Sequence, residues 1–138
     1  MNSLKQLVNE AITKVIDGET DFLKILQNQY RMCQGIRIEK SDVGCFVDFQ
    51  IDINAEKVSP PNAYIGDTFL KLKQIKSDIG LILFIENGTM SMLEFYICGD
   101  DVFPDVFDDY EFVYENGNRN YETYIKQRGV NTGDGSMC

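Results

Sequence analysis

The sequence predicts an α+β fold, in which two N-terminal helices pack on one face of an antiparallel, hairpin-linked β-sheet. Three observations lead to this prediction. Apolar residues recur at helical spacing over residues 4–33, and the spacing changes to strict alternation after Gly35. An Asn87-Gly88 pair, which is a strong local signal for a β-hairpin, then separates two apolar segments.

Two amphipathic helices are expected before Gly35. The first follows the i, i+3, i+4, i+7 pattern from Leu4 onwards, with Ser3 placed to cap its start and Gly18 to end it. The second is expected at residues 20–33, with Thr20 as its N-cap. Their apolar faces would cover one side of the sheet.

The strands are expected from the alternating segments. Residues 36–39 and 45–53 alternate on either side of a turn at 41–44, which predicts a hairpin. Residues 81–85 are continuously apolar, as in a central strand, and residues 91–98 would return as its partner. Residues 63–76 fit a helix or a strand, and we favour a strand for the second half. An edge strand is predicted at residues 110–115.

The length of 138 residues fits a single domain, which we place at residues 1–128. Within it, residues 121–127 are predicted to form a short helix. Residues 129–138 are polar and have nothing to bury, so we expect a mobile C-terminal tail.

Composition excludes several classes of function. The chain has 22 acidic and 13 basic residues, a net charge of −9, which disfavours nucleic acids and anionic membranes as partners. It has no histidine, so Ser–His, Cys–His and His–metal sites are excluded, and no cofactor is expected. The four cysteines form no C-x-x-C pair and no membrane span or secretory signal is visible. We therefore expect reduced thiols and a cytoplasmic protein.

The excess negative charge belongs to one segment. Between Lys76 and Arg119 there is no lysine or arginine, but there are ten acidic residues. Seven of the ten lie between Asp100 and Glu115, interleaved with five aromatic residues: Phe103, Phe107, Tyr110, Phe112 and Tyr114. Carboxylates that steer a basic partner, together with aromatic anchors, are typical of protein recognition.

Three other interpretations of this segment stay open. It can be a solvated acidic loop whose aromatic rings face inward. It can hold a cation at Asp100, Asp101 and Asp105, although the spacing does not match an EF-hand. Finally, Glu94 with Asp100 or Asp101 can form a carboxylate pair of the kind that small hydrolytic enzymes use.

Five stretches within residues 15–106 form a distinctive set: Asp17-Gly18 with Gln27 and Gln29, residues 43–49, residues 80–88, residues 93–99 and residues 103–105. Together they resemble small acidic bacterial immunity proteins of polymorphic toxin and contact-dependent growth inhibition systems. The chain departs from the family pattern at Phe95, where glycine is usual, and at Phe103, where tryptophan is usual. The motif residues themselves are expected to build the fold.

The resemblance and the charge pattern together predict a protein that neutralises a cognate toxin domain without catalysis. The toxin would be a basic protein such as a nuclease, bound through an acidic surface. An acidic adaptor with an unrelated partner is the other non-catalytic hypothesis. Phe103 and Phe107 would be anchors if their rings are exposed. The other expected contacts are Asp100, Asp101, Asp105, Asp108, Asp109 and Glu111.

Overall fold

The computed structural model describes residues 3–115, residue 119 and the backbone of residues 125–127. In this part of the chain two helices precede an antiparallel sheet, which confirms the α+β prediction. Helix α1 spans Leu4–Val15 and helix α2 spans Asp21–Arg31. No helix among the described residues is both long and apolar enough to cross a bilayer.

Both predicted N-caps are confirmed. The Ser3 hydroxyl accepts a hydrogen bond from the Gln6 amide at 3.1 Å, and the Thr20 hydroxyl accepts one from the Leu23 amide at 3.3 Å. The helix ends come earlier than expected. Helix α1 already ends at Val15, and Gly18, with φ at 149°, lies in the connection to α2. Helix α2 ends two residues before Cys33.

Seven strands lie in the described part of the chain, and every pairing between them is antiparallel. The order is β1-β2-β5-β4-β3-β6, and β7 pairs with the other half of β3. Their bounds are β1 Gly35–Ser41, β2 Gly44–Gln50, β3 Ala63–Leu72, β4 Asp78–Glu86, β5 Thr89–Cys98, β6 Tyr110–Tyr114 and β7 Ile125–Gln127.

Two predictions about these segments are wrong. Strand β3 occupies the first ten residues of the ambiguous segment 63–76 rather than its second half. Residues 125–127 form a strand rather than part of a helix, because they pair with Ala63, Tyr64 and Ile65. The rest of the predicted helix, residues 121–124, and the predicted tail, residues 129–138, lie outside the described residues.

The two faces of the sheet differ in whether a described helix packs against them. Side chains such as Val47, Leu83, Leu93 and Phe95 point toward α1 and α2 and are buried in the core. The opposite face carries the alternate residues of each strand. In β2, β4 and β5 these are half-buried or exposed, apart from the buried Gly44 and Gly80. We call this second surface the open face, because no described helix covers it.

The β4–β5 hairpin is joined to α2 by one buried glutamine. Asn87 and Gly88 adopt φ values of 53° and 84°, which fit the tight turn that the sequence predicts. Gln29 is fully buried, and its amide donates to the Gly88 carbonyl at 2.9 Å and accepts from the Met90 amide at 2.9 Å. The turn is therefore fixed against the helix layer.

The described cysteines differ in whether they form a disulfide bond. Cys33 and Cys45 are free thiols, whereas Cys98 is disulfide-bonded, so the prediction of reduced thiols is wrong for Cys98. Cys45 is fully buried, and burial raises the pKa of its thiol to about 11. It therefore acts as a small core residue.

Candidate protein-binding surface

The acidic loop, residues 99–109, lies across one end of the sheet. The Phe103 amide donates to the Asp42 carbonyl in the β1–β2 turn at 2.7 Å. At the other side, the Lys73 amide donates to the Asp109 carbonyl at 3.0 Å. These bonds attach the loop to the β1–β2 and β3–β4 turns. We call residues 42–43 and 99–109 together the acidic end.

The two phenylalanines of this loop are buried, which corrects their predicted role as anchors for a partner. Phe103 is 1% exposed and Phe107 is 0% exposed. The Phe103 ring packs edge-on against Phe95 at 6.1 Å and against Phe107 at 5.8 Å between centroids. Phe95 points into the core, so the two rings close the end of the core beneath the loop. The loop is thereby held on an apolar base.

Three valines, and not the two phenylalanines, are the exposed large apolar residues of the acidic end. Val43 is 74% exposed, Val102 is 59% exposed and Val106 is 38% exposed. Val102 and Val106 each precede a buried phenylalanine, so the loop turns one residue inward and its neighbour outward. The Val-Phe pairs at residues 102–103 and 106–107 are visible in the sequence, and they could have predicted that the valines face outward.

The predicted carboxylates do not all face the same way. Asp100, Asp105, Asp108 and Asp109 are exposed on the acidic end. Glu111 is also exposed, but it lies on β6 opposite Lys71, a residue of the open face. The acidic end therefore presents four of the predicted acids beside Asp42, which is exposed in the adjoining turn.

Asp101 turns toward its own chain. Its Oδ2 accepts hydrogen bonds from the Ser77 hydroxyl at 2.7 Å, the Ser77 amide at 2.9 Å and the Lys76 amide at 3.2 Å. These bonds, first those from Ser77, hold the pKa of the Asp101 carboxyl below its usual value. Asp101 closes the β3–β4 turn and is less suited to contact a partner than its exposed neighbours.

The fold brings lysines to the acidic end, although the segment itself contains none. Lys40 pairs with Asp105 at 2.7 Å, and Lys73 pairs with Asp109 at 3.4 Å. Both aspartates remain largely exposed, at 88% and 72% of their side-chain surface, so these pairs are weak and screened by water. Lys76 lies beside Asp101 as a third lysine. The acidic end therefore has six aspartates, including Asp42, and only three neighbouring lysines, so its net charge remains negative.

The carboxylates that were predicted to form a cation site or a catalytic pair do not point toward a common site. Asp101 points to Ser77 and Asp105 to Lys40, away from a shared site with Asp100. Within the described residues, no three acidic or cysteine side chains gather as a metal site. Glu94 lies on the open face in the middle of β5, four residues and about 13 Å before the strand end at Cys98.

Comparisons with known proteins give no match. No family model, no curated protein and no solved structure matched this chain.

Proposed function

We propose that this chain is a non-catalytic immunity protein that binds and neutralises a cognate toxin domain, a basic protein such as a nuclease, through the acidic end. We place this activity in the cytoplasm, where such a toxin acts. The observation that carries the proposal is the pattern of exposed valines set between exposed aspartates on a loop held to the sheet. Aspartates would steer a basic surface into contact, and the valines would be buried by it.

The loop is built for recognition without a large rearrangement. Phe103 and Phe107 hold it from below, and Asp101 ties it to the β3–β4 turn. A surface that is already ordered loses less conformational entropy on binding than a flexible loop would. Its weak internal ion pairs can also exchange for pairs with a partner at low cost.

The proposal is tested by measuring the affinity for candidate toxin domains encoded by the genes that neighbour this chain's gene, at several salt concentrations. We expect binding to weaken as salt rises, because exposed charges are screened. The Asp100→Asn, Asp105→Asn, Asp109→Asn variant should associate about tenfold more slowly, and Val102→Ser should dissociate faster. Glu19→Gln, an 89% exposed acid on the helix layer, is the control.

The absence of binding would contradict the proposal, as would binding that the triple variant leaves unchanged. Binding of the same surface to a different basic protein, with no affinity for the toxin domain, would instead support an acidic adaptor and overturn the immunity function.

A further inference from the structure

Strand β1 forms one edge of the sheet. Among the described strands it pairs with β2 alone, while β6 and β7 pair with β3, four places away in the strand order. β1 is seven residues long, and its register with β2 continues over all seven without a bulge or a proline. Proteins often protect an edge strand with such interruptions, because its outward N–H and C=O groups can pair with another strand. The outer side of β1 therefore has the backbone needed to pair with a further strand.

The register shows which backbone groups of β1 point outward. The Ile97 amide of β5 donates to the Val43 carbonyl at 3.3 Å. Because successive residues direct their N–H and C=O groups to opposite sides, Gly44 and every second residue after it direct theirs to β1. Gly44 pairs with Ser41, so Ser41 and every second residue before it direct theirs to β2. The backbone groups that point away from β2 belong to Ile36, Ile38 and Lys40.

The side chains of β1 complement a second copy of the same strand. In an antiparallel pair centred on Ile38, each Arg37 lies directly opposite Glu39 of the other copy. Ile38 then faces Ile38, and the three outward-pointing residues occupy the hydrogen-bonded positions. Arg37 and Glu39 occupy the positions between them, where opposite side chains approach most closely. Moving the centre by one residue would place Arg37 opposite Arg37, or Glu39 opposite Glu39, so the charges select this register.

Both charged side chains are accessible to a second copy. The Arg37 side chain is 75% exposed and the Glu39 side chain is 57% exposed, and within one copy they pair with each other along the strand. An ion pair this exposed contributes little to stability. Each side chain can therefore exchange its present partner for the opposite charge on the other copy.

The core side of the strand adds apolar contacts in the same register. Ile36 and Ile38 are half-buried and pack against the core. A two-fold axis perpendicular to the sheet places the helix layers of both copies on the same side, so the two Ile38 side chains meet and lose exposed surface. Lys40 lies opposite Ile36, and because its ammonium already pairs with Asp105, its methylene chain can cover the isoleucine.

We propose that two copies of this chain form a dimer through β1, paired antiparallel about Ile38, so that the two sheets join into one. The inference is separate from the proposed function, because this pairing requires no toxin. The net charge of −9 on each copy opposes association. At about 0.15 M salt, however, charges more than about 8 Å apart are largely screened. β1 itself carries two basic residues and one acidic residue, so the contact is not negative locally.

The experiment measures dimerisation of the whole chain by sedimentation over a range of concentrations. We expect a reversible monomer–dimer equilibrium for the wild type. Arg37→Glu opposes two pairs of carboxylates across the contact, and Glu39→Arg opposes two pairs of guanidiniums, so each should weaken the dimer by about tenfold or more. Lys24→Glu is the matched control, because it makes the same change in charge as Arg37→Glu at a half-exposed position on α2. It should leave the dimer nearly unchanged.

A mixture of the two variants tests the register itself. Arg37→Glu and Glu39→Arg should form a heterodimer with each other, because every carboxylate of the first then lies opposite a guanidinium of the second. A single chain that carries both substitutions should dimerise like the wild type for the same reason. Either result requires folded strands, so neither can arise from misfolding.

Three results would overturn the inference. The first is a wild-type chain that stays monomeric up to about 0.1 mM. The second is a dimer that Arg37→Glu weakens no more than Lys24→Glu does. The third is a mixture of Arg37→Glu and Glu39→Arg that stays monomeric although circular dichroism shows both variants folded.

Discussion

Asp100 and Asp101 are adjacent in sequence but differ in what their carboxylates contact. Asp101 accepts three hydrogen bonds from Lys76 and Ser77, whereas Asp100 is exposed on the acidic end. Net charge and sequence pattern do not distinguish Asp100 from Asp101, so both were predicted to contact a partner. Because their contacts differ, replacing each aspartate with asparagine should have different effects.

Asp101→Asn should loosen the β3–β4 turn, because an amide oxygen is a weaker acceptor than a carboxylate. We expect amide exchange at Lys76 and Ser77 to accelerate by about tenfold. Asp100→Asn should leave that exchange unchanged. Since the folded-state pKa of Asp101 is lowered, its stabilising effect is present above the unfolded pKa, about 3.9, and is lost as pH falls through the folded value. Equal exchange in both variants would contradict this assignment.

Glu94 should show the reverse pH dependence in the free protein. Its folded-state pKa is raised, so ionisation of Glu94 is less favourable in the folded chain than in the unfolded one. Glu94→Gln should therefore raise Tm slightly at pH 7, by about 1–2 °C, since the side chain is only partly buried. The difference in Tm should disappear below about pH 4.3, because Glu94 is then protonated in both the folded and the unfolded chain. A lower Tm at pH 7 would indicate a stabilising partner for Glu94.

At the scale of secondary-structure elements, the acidic loop is held by its two phenylalanines. Phe103→Ala should destabilise the protein by about 3–5 kcal/mol, because it removes a fully buried ring that contacts Phe95 and Phe107. Val102→Ala, at an exposed position, should change the free energy of unfolding by less than about 0.5 kcal/mol. Urea unfolding of both variants measures this contrast, and similar losses would contradict it.

Strand β3 is irregular between Ile65 and Thr68, and Arg119 binds at that irregularity. Its guanidinium pairs with Asp67 through two hydrogen bonds, at 2.9 and 3.0 Å, and lies 4.3 Å from the centre of the Tyr114 ring. The side chains of Arg119 and Asp67 are only 2% and 13% exposed. The pair therefore joins β3 and β6 in a buried setting.

Arg119→Ala should destabilise the protein by about 3 kcal/mol, because it leaves the Asp67 carboxylate buried and unpaired. Lys73→Ala is the control, since its pair with Asp109 is largely exposed and should contribute less than about 0.5 kcal/mol. Thermal unfolding of the two variants should show a clear loss of Tm for the first alone. A small loss for Arg119→Ala would mean that another group compensates Asp67.

The elements that were predicted correctly from the sequence have strong local signals, such as helix caps and turn residues. Ser3 and Thr20 cap their helices, and Asn87-Gly88 turns the β4–β5 hairpin as expected. The predictions for residues 63–76 and 125–127 are wrong because β3 also pairs with β6 and β7, which lie far away in the chain. Local periodicity carries no information about such partners.

At the scale of the whole molecule, the acidic segment was predicted from composition, but its pairing was not. Lys40 lies in β1 and Lys73 lies in the β3–β4 turn. Both are distant in sequence from Asp105 and Asp109 and meet them only in the folded chain. The same holds for the open face, where the position of Glu94 between Phe46 and Ile82 depends on strand register. The contacts of these carboxylates therefore follow from the fold and not from the acidic stretch alone.

The most direct test of this account is a titration of toxin activity. The activity of the proposed cognate toxin domain would be measured against rising amounts of the wild type and of the Asp100→Asn, Asp105→Asn, Asp109→Asn variant. We predict complete inhibition by the wild type at equal concentrations in low salt, and a requirement for about tenfold more of the variant. No inhibition by the wild type, or equal inhibition by both proteins, would contradict the account.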